Sequence, residues 1–165
     1  MLEQKSFTKN FLLYFSAILL TIANLSDVKI AGFSDVMPLL DLMAVFYFAI
    51  YKNKFGLAFL FLLGVWGDAL NGNVLGISSL CYIVLVKLFA FFNNRILAKE
   101  NFIQIWQQFV VFIAMFLLLK WLLFLVINGK ASSFYLLIFQ VLISSFFYVP
   151  MHVFFDFLSK KLFEE

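Results

Sequence analysis

Long apolar runs broken by short polar interruptions organise this chain. Six runs stand out, at residues 11–28, 36–51, 55–70, 74–92, 102–127 and 134–158. A helix that crosses a bilayer needs about 20 mostly apolar residues, with a range of about 17–25. The pattern therefore predicts about six transmembrane helices. The second and third runs are short, and bilayer thinning or flanking residues would accommodate them. Lys52-Asn53-Lys54 separates runs two and three, and Asn71-Gly72-Asn73 separates three and four. Asn and Gly accept the left-handed conformation that ends a helix, so the second break suits a tight helical hairpin. Runs two, three and four are then antiparallel neighbours. Longer connections cover 26–35, 93–101 and 128–133. Nothing resembles a soluble domain or a linker, so residues 1–165 read as one polytopic membrane domain. The expected fold is all-α, a compact membrane bundle.

Composition agrees with that pattern. The 165 residues are 65% hydrophobic and 13% charged, against about 45–50% and 25% in a soluble domain. In water such a chain would expose large apolar patches and aggregate. The first apolar run follows a polar start and carries no small-residue cleavage site, so it reads as a retained helix. One cysteine, Cys81, excludes an intrachain disulfide and any multi-cysteine metal site. The net charge of +3 is modest and gives nucleic-acid binding no support.

The placement of charge is more informative than its sum. Basic residues stay on the cytoplasmic side during insertion. With the N-terminus inside, the inner segments hold Lys5, Lys9, Lys52, Lys54, Arg95, Lys99, Lys160 and Lys161, and the outer ones hold only Lys29 and Lys130. Both termini are therefore expected in the cytoplasm. Tyr14, Tyr51 and Trp106 fall near the inner interface, and Trp66 and Tyr135 near the outer one, as amphipathic rings prefer. Tyr47, Tyr82 and Trp121 lie deeper, where packing between helices is the simplest explanation.

Asp41, Asp68, Lys87, Lys120 and Asp156 fall inside the predicted helices. An intramembrane charge costs about 2.5–3.5 kcal/mol on insertion scales, so each one calls for a partner or a function. Asp41 and Asp68 lie toward the outer ends of their helices. Lys120 stands eight residues before Asn128, which is about 12 Å from the outer end at helical rise. Lys87 and Asp156 belong to the inner half. The signs match by layer, predicting an outer cluster of Lys120 with Asp68 or Asp41 and an inner pair of Lys87 with Asp156. A proton or ion path would need acids at successive depths. Acids split between two layers form no continuous relay, so structural pairing is favoured, with the lysines snorkelling to the nearer interface.

Small residues point the same way. Gly56, Leu60, Gly64 and Asp68 recur every fourth position and share a helix face, with Gly67 beside them. Gly76, Ser79, Ile83, Lys87 and Ala90 share a face on the next helix. Small residues let backbones approach closely, a main attraction between helices in lipid. The two faces are expected to meet and to set Asp68 in the seam. Pro38 is expected in the first turn of the second helix, where its missing N–H costs little. Pro150 should kink the last helix unless neighbours repair the backbone. His152 has no second histidine and no nearby cysteine, which suits a satisfied interior or interfacial imidazole. Ser78-Ser79 and Ser144-Ser145 could face a cavity or bond back to their own helices. The sequence holds no phosphate-binding glycine loop, no histidines at metal spacing and no base beside a nucleophile. No catalytic residue, cofactor or metal is expected.

The central block carries a resemblance. Met37-Pro38-Leu39-Leu40-Asp41 opens a helix that ends in Phe46-Tyr47-Phe48-Ala49-Ile50, and a basic turn follows. Then come Gly64-Val65-Trp66-Gly67-Asp68-Ala69-Leu70 and Asn71-Gly72-Asn73-Val74-Leu75-Gly76. This order resembles the bacterial rod shape-determining protein MreD family. Ile105-Trp106-Gln107-Gln108 and Pro150 before a basic tail are similar too. Gly64, Asp68, Gly72 and Gly76 carry the pattern, while Met37 stands where the family often has arginine. The resemblance implies a non-enzymatic inner-membrane component of the cell-elongation machinery. Such proteins pair with the single-span MreC, and through it connect MreB filaments to the enzymes that build lateral peptidoglycan. It also implies a six-helix fold similar to the substrate-binding component of energy-coupling-factor transporters. The alternative function is a vitamin-binding subunit of such a transporter. Helix one offers only Ala17-Ile18-Leu19-Leu20-Thr21 toward the alanine stripe often associated with docking those subunits.

Overall fold

A computed structural model describes residues 2–24, 37–96, 101–129 and 134–163. Six helices form among the described residues, and no strand does. They are α1 (Leu2–Ala23), α2 (Leu40–Val45, continuing as a π-helix over Phe46–Tyr51), α3 (Leu57–Leu70), α4 (Ile77–Ile96), α5 (Phe102–Asn128) and α6 (Phe134–Phe163). Lys29, Lys99 and Lys130 of the charge count lie outside the described residues, as do residues 25–28 of the first run and Val36 of the second.

Helix α2 is the axis of the bundle. Every residue from Leu42 to Ile50 is buried, as expected of a helix that is apolar all round. It packs against α1, α4 and α6. The π-helical half is marked by the Lys52 amide donating to the Tyr47 carbonyl five residues back, at 2.9 Å. Phe46 meets Phe109 and Phe112 of α5 at 5.4 Å each and Tyr148 of α6 at 5.8 Å. Phe109 and Tyr148 stack at 4.0 Å. Tyr14 of α1 lies 4.5 Å from Phe59, fixing α1 on α3.

The ends of α2 depart from the sequence pattern. Pro38 stands two residues before the first helical residue instead of within the first turn. Asn53 closes the following turn at φ 50°, a conformation asparagine tolerates better than most residues. The α3–α4 hairpin turns through Gly72 at φ 63° and Gly76 at φ 96°, where a side chain would be strained. Helix α6 runs through Pro150 without ending.

Polarity is inverted relative to a soluble protein. Phe91 and Val126 are each 79% exposed and Phe146 is 77% exposed, while Asp68 is wholly buried. The segments Phe102–Ile127 and Phe134–Lys161 are long and apolar enough to cross a membrane. The apolar parts of the other four helices are shorter.

Candidate functional site

Asp68 sits at the C-terminal end of α3 and points at the start of α4. Its Oδ2 accepts the backbone N–H of Gly76 at 3.0 Å and of Ser78 at 2.9 Å. Its Oδ1 accepts the Ser78 hydroxyl at 2.5 Å. A carboxylate here satisfies orphan amides and complements the positive end of the α4 dipole. The Ser78 hydroxyl in turn accepts from Lys120 Nζ of α5 at 3.0 Å. One serine thus joins the buried acid to the lysine. The expected Lys120–Asp68 cluster is a relay of hydrogen bonds, not a direct ion pair.

Asp41 forms a second knot at the same end. Its Oδ1 accepts from the Asn24 side-chain amide at 2.5 Å and its Oδ2 from the Tyr82 hydroxyl at 2.7 Å. Asn24 returns a bond, its side-chain oxygen accepting the Leu40 amide at 3.1 Å. Asp41 therefore ties α1, α2 and α4 together, and Lys120 is not among its bonded partners here. Nearby, Ser144 of α6 accepts the Leu39 amide at 3.2 Å, while Ser145 bonds back to the Val141 carbonyl at 2.6 Å.

At the opposite end the expected Lys87–Asp156 pair gives way to other partners. Asp156 accepts a hydrogen bond from the Tyr47 hydroxyl of α2. Lys52 Nζ lies 4.0 Å from Asp156 and over the rings of Tyr47 and Tyr51, at 5.8 Å and 5.0 Å. Lys87 is exposed on α4. The reason is angular: steps of four residues overshoot a helical turn by about 40° each, so Lys87 drifts away from Ser79. His152 is buried among Tyr47, Tyr51, Phe102 and Tyr148, with the Tyr148 oxygen 3.2 Å from its Nδ1.

The α3–α4 seam is tight. A Cβ added at Gly64 would stand 2.5 Å from both Cα and N of Ser79. Ser79 itself donates to the Phe61 carbonyl at 2.8 Å, crossing from α4 to α3. Among the described residues no group of three or more acids, histidines or cysteines gathers where a metal would be held.

A comparison with protein families decides the relationship. The family model described as rod shape-determining protein MreD matches residues 5–160. The chain belongs to the MreD family. No curated protein and no solved structure matches it. MreD membership makes this a membrane protein with a role in rod shape determination. The family match contains both polar knots, the Gly64 seam and the aromatic nest of His152.

Several partners in this MreD-family chain were not named by the sequence pattern. Ser78 links Lys120 to Asp68, Tyr82 and Asn24 hold Asp41, and Tyr47 with Lys52 holds Asp156. The depth of Tyr47 and Tyr82 in an apolar stretch was the one available signal, since a buried phenol usually finds an acceptor.

Proposed function

We propose that this chain is a multi-pass scaffold of the bacterial cytoplasmic (inner) membrane, with six spans and both termini in the cytoplasm. It acts without catalysis. It joins a bitopic MreC-like protein, and through it links MreB filaments to the synthases of lateral peptidoglycan. The observation that carries this reading is the continuous family match over residues 5–160.

The bundle supplies a physical rationale. Asp41 and Asp68 are engaged between helices, which they fasten to one another, while large apolar side chains such as Phe91, Val126 and Phe146 face outward. A protein built this way offers partners its apolar helix faces and two polar rims. Association of helices in lipid rests on close packing and interhelical hydrogen bonds. Lys160 and Lys161 in the last turn of α6 suit a cytoplasmic rim facing anionic lipid.

Affinity purification of the tagged chain from native membranes tests the scaffold role. An MreC-like bitopic protein should co-purify. Recovery of folded bundle with no such partner, under detergents that preserve other complexes of the elongation machinery, contradicts it.

A further inference from the structure

Beside the Asp68 knot lies a cleft of about 330 Å³ between α5 and α6. Phe116, Trp121, Phe124 and Leu137 form its apolar walls, and Lys120 and Gln140 supply its polar groups. The size falls in the range of small-ligand sites, about 300–1,000 Å³, and such sites combine apolar walls with a few placed polar groups. Lys120 lies about 12 Å along the axis from the end of α5, within the apolar stretch Phe102–Ile127. An ammonium there is costly unless a negative charge compensates it.

Asp68 gives that compensation only through an intermediary. Its oxygens are taken up by the Gly76 amide, the Ser78 amide and the Ser78 hydroxyl. Lys120 reaches Ser78 instead, and its ammonium lies over the Phe116 ring at 5.7 Å. An ammonium has three donors, and the bond to Ser78 engages one of them. Among the described residues, Gln140 makes a long bond from Nε2 to the Met37 carbonyl, at 3.4 Å. A cation and an amide at the head of a greasy cleft match a molecule with an anionic head and an apolar body.

We propose that this cleft binds the phosphate head of an anionic amphiphile, with the phosphate on Lys120 and Gln140 and one chain along Phe116, Trp121, Phe124 and Leu137. The volume holds a head and part of one chain, not a whole diacyl lipid. The site does not depend on any partner protein. The phosphate can come from a membrane lipid or from solution, and the experiment separates the two.

The purified protein is placed in phosphatidylcholine nanodiscs doped with phosphatidylglycerol, then released and weighed by native mass spectrometry. Phosphatidylglycerol should be retained over phosphatidylcholine by about tenfold, equivalent to about 1.4 kcal/mol. Leu137→Trp fills the cleft without touching the Lys120–Ser78–Asp68 relay, so it should abolish the preference, and a cooperative thermal transition in phosphatidylcholine discs shows that the bundle is folded. Phe124→Trp gives a second filling variant should the first fail to fold. Lys120→Arg should keep the preference and Lys120→Met should lose it. In phosphatidylcholine discs alone, a midpoint raised by inorganic phosphate in wild type but not in Leu137→Trp would assign the site to a soluble phosphate. Equal retention of both lipids with no response to phosphate overturns the proposal. So does a preference that survives both filling variants.

Discussion

Asp68 and Lys120 are joined by the hydroxyl of Ser78, which donates to the acid at 2.5 Å and accepts from the ammonium at 3.0 Å. Removing the middle member should uncouple the outer two. In a double-mutant cycle on Asp68→Ala and Lys120→Ala, the coupling should be about 0.5–3 kcal/mol. It should vanish when the cycle is repeated in Ser78→Ala. Asp68→Leu alone should cost about 3–5 kcal/mol, because it strands the buried Ser78 hydroxyl and the amides that the carboxylate accepts. Unfolding of the detergent-solubilised protein measures each term.

Gly64 and Gly67 should respond differently to the same added methyl group. At Gly64 the new carbon meets the Ser79 backbone at 2.5 Å, and backbone cannot swing aside. At Gly67 the nearest atom is the Thr21 methyl at 3.6 Å, an ordinary contact. Gly64→Ala is expected to cost about 1–3 kcal/mol through overpacking. Gly67→Ala should stay within about 0.5 kcal/mol. Thermal midpoints of the two variants, measured side by side, make the comparison.

Asp156 should be sensitive to Tyr47 and insensitive to Lys87. Tyr47→Phe removes the phenol that donates to the acid and should cost about 1–2 kcal/mol. Lys87 is exposed on α4, so Lys87→Ala should change stability by less than about 0.5 kcal/mol. A larger loss at Lys87 than at Tyr47 would reverse the assignment of partners.

Both termini should report from the same side of the membrane. Reporters active only in the cytoplasm, fused at Met1 or at Glu165, should both be active. Activity at one end alone would remove the proposed threading and its outer and inner layers.

Depth along a helix was legible in this sequence, and angle around it was not. Spacing alone located Asp68 and Lys120 in one layer, and their shared link through Ser78 follows from that depth. Gly64 was placed in the seam because every fourth residue of α3 repeats on one side. The pairing of Lys87 with Asp156 used the same reasoning about depth but lacked the angle, and Lys52 from a turn took the place instead. Polar residues with no formal charge did not reveal their partners: Tyr82 and Ser144 stood out by position alone, and Asn24 entered only with the structure. The π-helix of α2 has no periodic signature, because Phe46, Phe48, Ala49 and Ile50 are apolar on all sides and leave no polar stripe to count from. Pro38 was set inside the first turn, though it stands two residues before the helix, because sequence periodicity does not fix the capping residue.

Depletion of the protein in its native rod-shaped cell, with imaging of outline and of new wall insertion, tests the scaffold role most directly. Cells should round up and insert wall material without localisation, and re-expression of the wild-type chain should restore both. Rods that keep their shape and their pattern of insertion after complete depletion, above all with uptake of one vitamin lost, would contradict it.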